Sequence, residues 1–350
     1  MRRRPAPSRS SRRRPARRRR SGRRARRSWC APPRRNRTTA RRWPTRSPGA
    51  CAESGPERDR GGIESTALSD HRRAFALLVV CGLSWSIGGL LIKFVDWHPA
   101  AIWSVRSAIC GATLYAVTRP SLRGITRAEW GAAVALAATT GLFILSNKLT
   151  TAANAILIQY SAPIWIALLG TWFLGERASR LDWITIVLVL GGITLFFFEQ
   201  LTLDHVAGNL VAVAAGIAFA FSAMTLRKVA VADSDPMRPM ILGNFLGAVL
   251  GAPAMALAAA PDAAGWAALV ALGVVQQAVA YLCYAWAIKR ATALEAMLIP
   301  IIEPVLSPVW VAIAFGERPG AWAVVGGAIV VGAVALRGVL GSRRAPPRPR

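Results

Sequence analysis

Acidic residues are scarce in this chain. It has 17 Asp plus Glu against 44 Lys plus Arg over 350 residues, with three His and five Cys. The cysteines (Cys30, Cys51, Cys81, Cys110, Cys283) show no C-x-x-C or Cys/His spacing, so metal and disulfide frameworks have no support. His71, His98 and His205 fall outside the apolar runs or at their edges, which argues against an intramembrane histidine cluster. No Walker Gly-x-x-x-x-Gly-Lys-Ser/Thr motif occurs, which argues against ATP-driven work within the chain. No Ser/His/Asp set or pair of acids falls in one expected cleft, so the sequence assigns no catalytic residue, no cofactor and no enzyme activity. The first 73 residues contain 25 Arg and no Lys, and no apolar core of the kind a secretory signal needs.

What is present divides into two regions. Residues 1–73 carry a net charge of +20 and residues 74–350 the remaining +7 of the chain's +27. Hydrophobic residues make up 53% of the chain, and nearly all lie in the second region. The Arg-, Pro- and Ser-rich stretch 1–73 cannot bury enough apolar surface to offset chain entropy, so it reads as a disordered basic tail. Its two alternatives are a polybasic arm for anionic lipid or RNA and GC-rich coding read upstream of a start near Leu68. Residues 341–350 read as a second, short basic tail.

From Ala74 onward the sequence is a series of apolar stretches of about 20 residues, the length that crosses ~30 Å of hydrocarbon. Ten are placed: 74–93, 99–118, 130–149, 152–174, 181–198, 206–226, 239–258, 265–287, 293–315 and 320–340. Most are apolar all round rather than striped, which points away from a soluble helical core. Trp97, Trp130, Trp183, Trp266 and Trp322 fall near span ends, where interfacial aromatics sit. With the N-terminus inside, the cytoplasmic segments collect 17 Lys and Arg and the opposite side three. Both termini are therefore expected in the cytoplasm.

The chain also repeats. Thr151–Arg177 aligns without gaps onto Thr292–Arg318, pairing Ala155 with Ala296, Pro163 with Pro304, and Gly175-Glu176-Arg177 with Gly316-Glu317-Arg318. Gly82–Lys93 likewise resembles Gly216–Arg227. Two halves of five spans imply that the second enters the membrane upside down, an arrangement typical of secondary transporters.

Ala152 through Pro163 with Gly175-Glu176, and Ala293 through Glu303-Pro304-Val305 with Gly316-Glu317, resemble the EamA family of the drug/metabolite transporter superfamily. The basic ends at Lys93 and at Arg227-Lys228 agree with that pattern. The resemblance implies an all-α integral membrane protein of the inner (cytoplasmic) membrane. Its ten helices form two inverted five-helix repeats, 74–198 and 206–340, in a carrier that usually exports amino acids or other small metabolites.

Glu303 lies near the middle of its span, where a carboxylate costs several kcal/mol unless paired, hydrated or protonated. It reads as a contact for a substrate amine, a proton-coupling site, or an acid that holds helices together. Arg106 lies seven residues into its span and could bind a substrate carboxylate, pair with Glu303, or snorkel outward. Together the two charges would suit a zwitterion. Gln159 and Tyr160, then Gln276, Gln277 and Tyr281, are candidates to line a central path, with Trp85 and Trp165 as apolar walls; helix-packing glue is the plainer reading of each. Pro163, Pro300, Pro304 and Pro308 remove backbone donors and read as hinges or static kinks. Gly243, Gly247 and Gly251 form a small-residue face for close helix packing or for a homodimer.

The function expected is therefore a secondary active exporter of a small polar or amphipathic metabolite, such as an amino acid or a drug-like compound. Its partners would be substrate, membrane lipids and protons, with no specific nucleic acid. The alternatives are an importer of the same fold and a membrane-anchored polybasic RNA- or lipid-binding protein.

Overall fold

A computed structural model describes residues 57–201, 204–257, 259–315 and 320–341. Residues 1–56, 202–203, 258, 316–319 and 342–350 lie outside these. The described residues are helical, with no strand among them. Nine helical stretches among them are long and apolar enough to cross a membrane. The expected span 181–198 is not one of these. It forms α7 (Arg180–Phe196), 17 residues long, whose first turn holds Arg180 and Asp182 and which gives way to a 3-10 turn at Phe198–Gln200. The disordered tail expected over 1–73 is corrected over 57–73, where α1 (Glu57–Ser86) is already helical. In the polar turn just before Ala74, Asp70 accepts from Arg290 at 3.2 Å, and Arg73 lies over the Trp286 ring.

Glycine and proline decide where the long spans break. The first stops at Ile87 and resumes as α2 (Gly88–Ile92). The fourth divides ahead of Pro163 into α5 (Ala152–Gln159) and α6 (Ala162–Phe173). The ninth divides into α12 (Ala293–Leu298), a 3-10 turn at Pro300–Ile302, and α13 (Glu303–Phe315). Each proline removes a ladder donor, so these turns leave carbonyls that need company. Two glycines bring other helices against them. A Cβ on Gly216 would lie 3.0 Å from the Gln159 carbonyl, and one on Gly82 would lie 3.0 Å from the Pro300 carbonyl. Gly82 and Gly216 are repeat equivalents, as are Gln159 and Pro300. Each half therefore seats its first helix on the broken turn of the other.

The remaining helices are α3 (Pro99–Thr118), α4 (Arg127–Leu149), α8 (Val206–Val231), α9 (Met237–Gly251), α10 (Ala263–Ala271), α11 (Ala280–Ala287) and α14 (Ala321–Gly341). A π segment, Leu272–Val279, joins α10 to α11. The small-residue face of α9 is turned inward. Cβ atoms on Gly243, Gly247 and Gly251 would meet the Ala133 carbonyl, the Trp103 ring and the Ala100 carbonyl at 2.8, 3.1 and 2.6 Å. It is a packing face against α3 and α4.

The two ends of the bundle differ in chemistry. At one end three helices begin with capping boxes: Thr126/Glu129, Ser179/Asp182 and Thr292/Glu295. Each carboxylate also meets an arginine of another helix. Arg238 reaches Glu129 at 3.1 Å, and Arg337 reaches Asp182 at 2.7 Å and Glu295 at 3.1 Å. Beside them Gly175, at φ +73°, turns the chain after α6. Glu176 then accepts from Arg227 at 2.8 Å and from the Ala293 amide at 2.9 Å. The opposite end is tied by neutral and aromatic contacts: Asn209 with Thr150 and Asn154, Trp97 with Trp266, and Phe198 with Trp322. There His98 also meets Lys148.

Candidate functional site: a cavity at mid-depth

The broken helices surround a cavity of about 540 Å³. Its walls include Ile92, Asn147, Ala152 and Phe197, all at helix ends on the neutral side of the bundle. Toward the charged end it stops at Leu226, Met240 and Tyr284, roughly one turn short of the helix ends. Beyond that level the bundle is filled by buried side chains such as Met237 and Ile288, then by the ion pairs.

Seven of the eight side chains expected along a substrate path line this cavity: Trp85, Arg106, Gln159, Tyr160, Gln276, Tyr281 and Glu303. Trp165 does not. Its indole donates to Ser161 at 3.2 Å, and its ring packs on a separate apolar cluster that includes Ile166, Ala223 and Met224. Among the proline candidates, Pro304 lines the cavity, Pro163 is buried at the start of α6, and Pro300 lies against Gly82. Pro308 falls on α13.

Glu303 begins α13, directly after the 3-10 turn, so the break in the ninth span places its carboxylate at the cavity wall. Its Oε2 accepts from the Tyr160 hydroxyl at 2.7 Å. Tyr160 occupies the matching break between α5 and α6. The two repeat-related interruptions thus contribute the two halves of one hydrogen bond. Arg106 does not pair with Glu303: none of the ion pairs among the described residues includes either group. The Arg106 Nε is buried without a hydrogen-bond partner. An uncompensated guanidinium at mid-depth on a cavity wall is a ready receptor for an anionic group.

Sequence reasoning missed several parts of this arrangement. Asn244, which orients Gln277, carries no signal beyond being polar in an apolar run. Ser307, also on the cavity wall, turns its hydroxyl toward Gly89, where it would meet an added Cβ. The ion-paired end did carry a signal, in three Ser/Thr-x-x-Asp/Glu motifs at span starts.

A polar-tipped, aromatic-walled chamber inside a bundle of membrane-length helices is the architecture of a membrane carrier. The description "EamA-like transporter family" matches residues 72–198 and again 206–338, so the chain belongs to that family and carries its unit twice. A protein described as an uncharacterized transporter from Archaeoglobus fulgidus is 26% identical over 200 residues, which is 57% of this chain and 71% of the relative. A solved crystal structure of a protein 22% identical in sequence matches with a TM-score of 0.68 over 77% of this chain and 98% of its own, a likeness of fold. The protein is thus a multi-pass membrane transporter of the EamA-like family.

Proposed function

We propose that the protein is a secondary active transporter that exports a small polar or amphipathic metabolite, in the size and chemistry range of an amino acid, by alternating access. The observation that carries this reading is a mid-depth cavity reaching one end of the bundle and stopped at the other by buried side chains and ion pairs. The positive-charge excess supports a cytoplasmic position for the ion-paired end, which would leave the cavity facing outward in this conformation. The reciprocal seating of Gly82 and Gly216 supports two halves of opposite orientation. Such halves can exchange conformations, closing the open side as they open the closed one. Arg106 would take the anionic group of the substrate. Glu303 with Tyr160 would face the substrate's amine or the coupling proton. The reading is of a carrier in the cytoplasmic membrane with no catalytic residue of its own.

Comparison of extracellular and intracellular metabolites from cells with and without the gene tests it. Export predicts one compound class depleted outside and accumulated inside when the gene is lost. The reverse pattern identifies an importer, and an unchanged profile removes the transport reading. Labelling that placed residues 175–177 and 316–318 on one face of the membrane would overturn the inverted arrangement.

A further inference from the structure

The π segment carries two adjacent amides whose orientations are set by backbone carbonyls. Gln276 Nε2 donates to the Trp85 carbonyl at 3.4 Å. A carbonyl only accepts, so the nitrogen must be the end that faces it. Gly88 leaves the room, since a Cβ there would lie 3.2 Å from that nitrogen. The Gln276 Oε1 is then left buried and without a partner. Gln277 is fixed through Asn244, whose Nδ2 donates to the Met240 carbonyl at 2.8 Å. Asn244 Oδ1 therefore faces Gln277, which must answer with its own NH2 group at 3.1 Å. The same NH2 group also reaches the Tyr281 hydroxyl at 3.2 Å. The Gln277 Oε1 is likewise buried and unpartnered. The two side chains are 7% and 3% exposed, and both line the cavity.

Arg106 stands close by on α3. A Cβ on Gly273 would lie 3.1 Å from the Arg106 carbonyl, so the π segment abuts the turn that carries the guanidinium. Two uncommitted acceptors and one uncommitted cation thus share one cavity. Folded proteins keep few buried polar atoms in that condition, and those they keep call for a partner. π turns occur disproportionately at functional sites, and here one sets consecutive side chains on one wall.

We infer that Gln276 and Gln277 recognise a donor-rich nitrogen of the transported molecule, a primary ammonium, while Arg106 holds its carboxylate. Glu303 and Tyr160 are then left for the coupling proton. An ammonium brings three donors, enough for both amide oxygens, and neutral carbonyls bind it whatever the charge on Glu303. Substrate and proton thereby occupy different groups of one cavity. The inference rests on the carrier reading above.

The test uses the purified full chain and measures binding of L-phenylalanine and of 3-phenylpropanoate, which lacks only the ammonium. The wild type should prefer L-phenylalanine by about tenfold or more, the worth of hydrogen bonds to a charged group. Gln276→Met/Gln277→Met should lose that preference and still bind 3-phenylpropanoate, which also shows that the variant is folded. Glu303→Gln should keep the preference. Retention of the preference in the double variant, or its loss in Glu303→Gln, overturns the assignment, as does a double variant that binds neither probe. A wild type that binds neither probe yet exports another metabolite overturns this inference and leaves the carrier reading standing. Failure of both binding and export removes the two together.

Discussion

Glu303 has one committed partner, the Tyr160 hydroxyl, and one face on the cavity. Glu303→Gln preserves volume and an acceptor for that hydroxyl while removing the charge. In proteoliposomes this variant should insert normally and retain substrate exchange, but lose uptake driven by a proton gradient; retained proton-driven uptake would remove Glu303 from coupling. Arg106→Gln should weaken carboxylate-bearing substrates by about tenfold or more in a binding titration, because a charge-assisted contact is lost. An equal loss for substrates without a carboxylate would count against its proposed role. These two residues were legible in the sequence because charge inside an apolar run has few bland explanations. Trp165 was not, since an indole on a membrane helix reads the same whether it faces a cavity or a neighbouring helix. Only the packing against Ile166 and Met224 separates it from Trp85.

Helices meet here through glycine, and their contacts give sharp expectations. Gly251→Ala would push a methyl to 2.6 Å from the Ala100 carbonyl, a backbone atom of α3 with little freedom to yield. It should cost about 1–3 kcal/mol by overpacking, read as a lower thermal midpoint in detergent. Gly131→Ala, where nothing lies within 4 Å, is the matched control and should leave the midpoint unchanged or slightly higher. A shift from dimer to monomer without destabilisation in Gly251→Ala would support the interface reading of that face. At this scale the sequence revealed the proline breaks at Pro163 and Pro300, because a missing amide donor is a local fact. It did not reveal the π segment at Leu272–Val279, whose residues are ordinary helix formers. It also gave no hint of the first span's end before Ala74, since the polar turns around Asp70 and Arg73 are held by Arg290 and Trp286 from far along the chain.

Across the whole molecule, span lengths, the internal repeat and the Lys/Arg bias of the connectors were legible in the sequence, while the pairing of the capping carboxylates with particular arginines emerged only in three dimensions. Three capping carboxylates each serve a helix start and an arginine of another helix. Arg337→Leu would leave Asp182 buried without its cation and Glu295 with only His71 at 3.8 Å, at a cost of about 3–5 kcal/mol. Adding Asp182→Asn and Glu295→Gln should recover part of that loss; no recovery would show that the guanidinium acts through packing alone. Removing the Arg227–Glu176 pair should also favour opening of this end. A cysteine at Ile288, fully buried in the present conformation, should then react with a polar thiol reagent applied from the ion-paired side. Protection as complete as in the parent would argue that these pairs do not hold the end shut. The position of Arg337 on the final helix has a consequence for biogenesis. Until that helix leaves the ribosome and joins the bundle, two carboxylates near the ends of earlier helices wait for their counter-charge. A chain that has made α7 and α12 but not yet α14 therefore holds two capping carboxylates without their guanidinium, and α14 supplies it on joining the bundle.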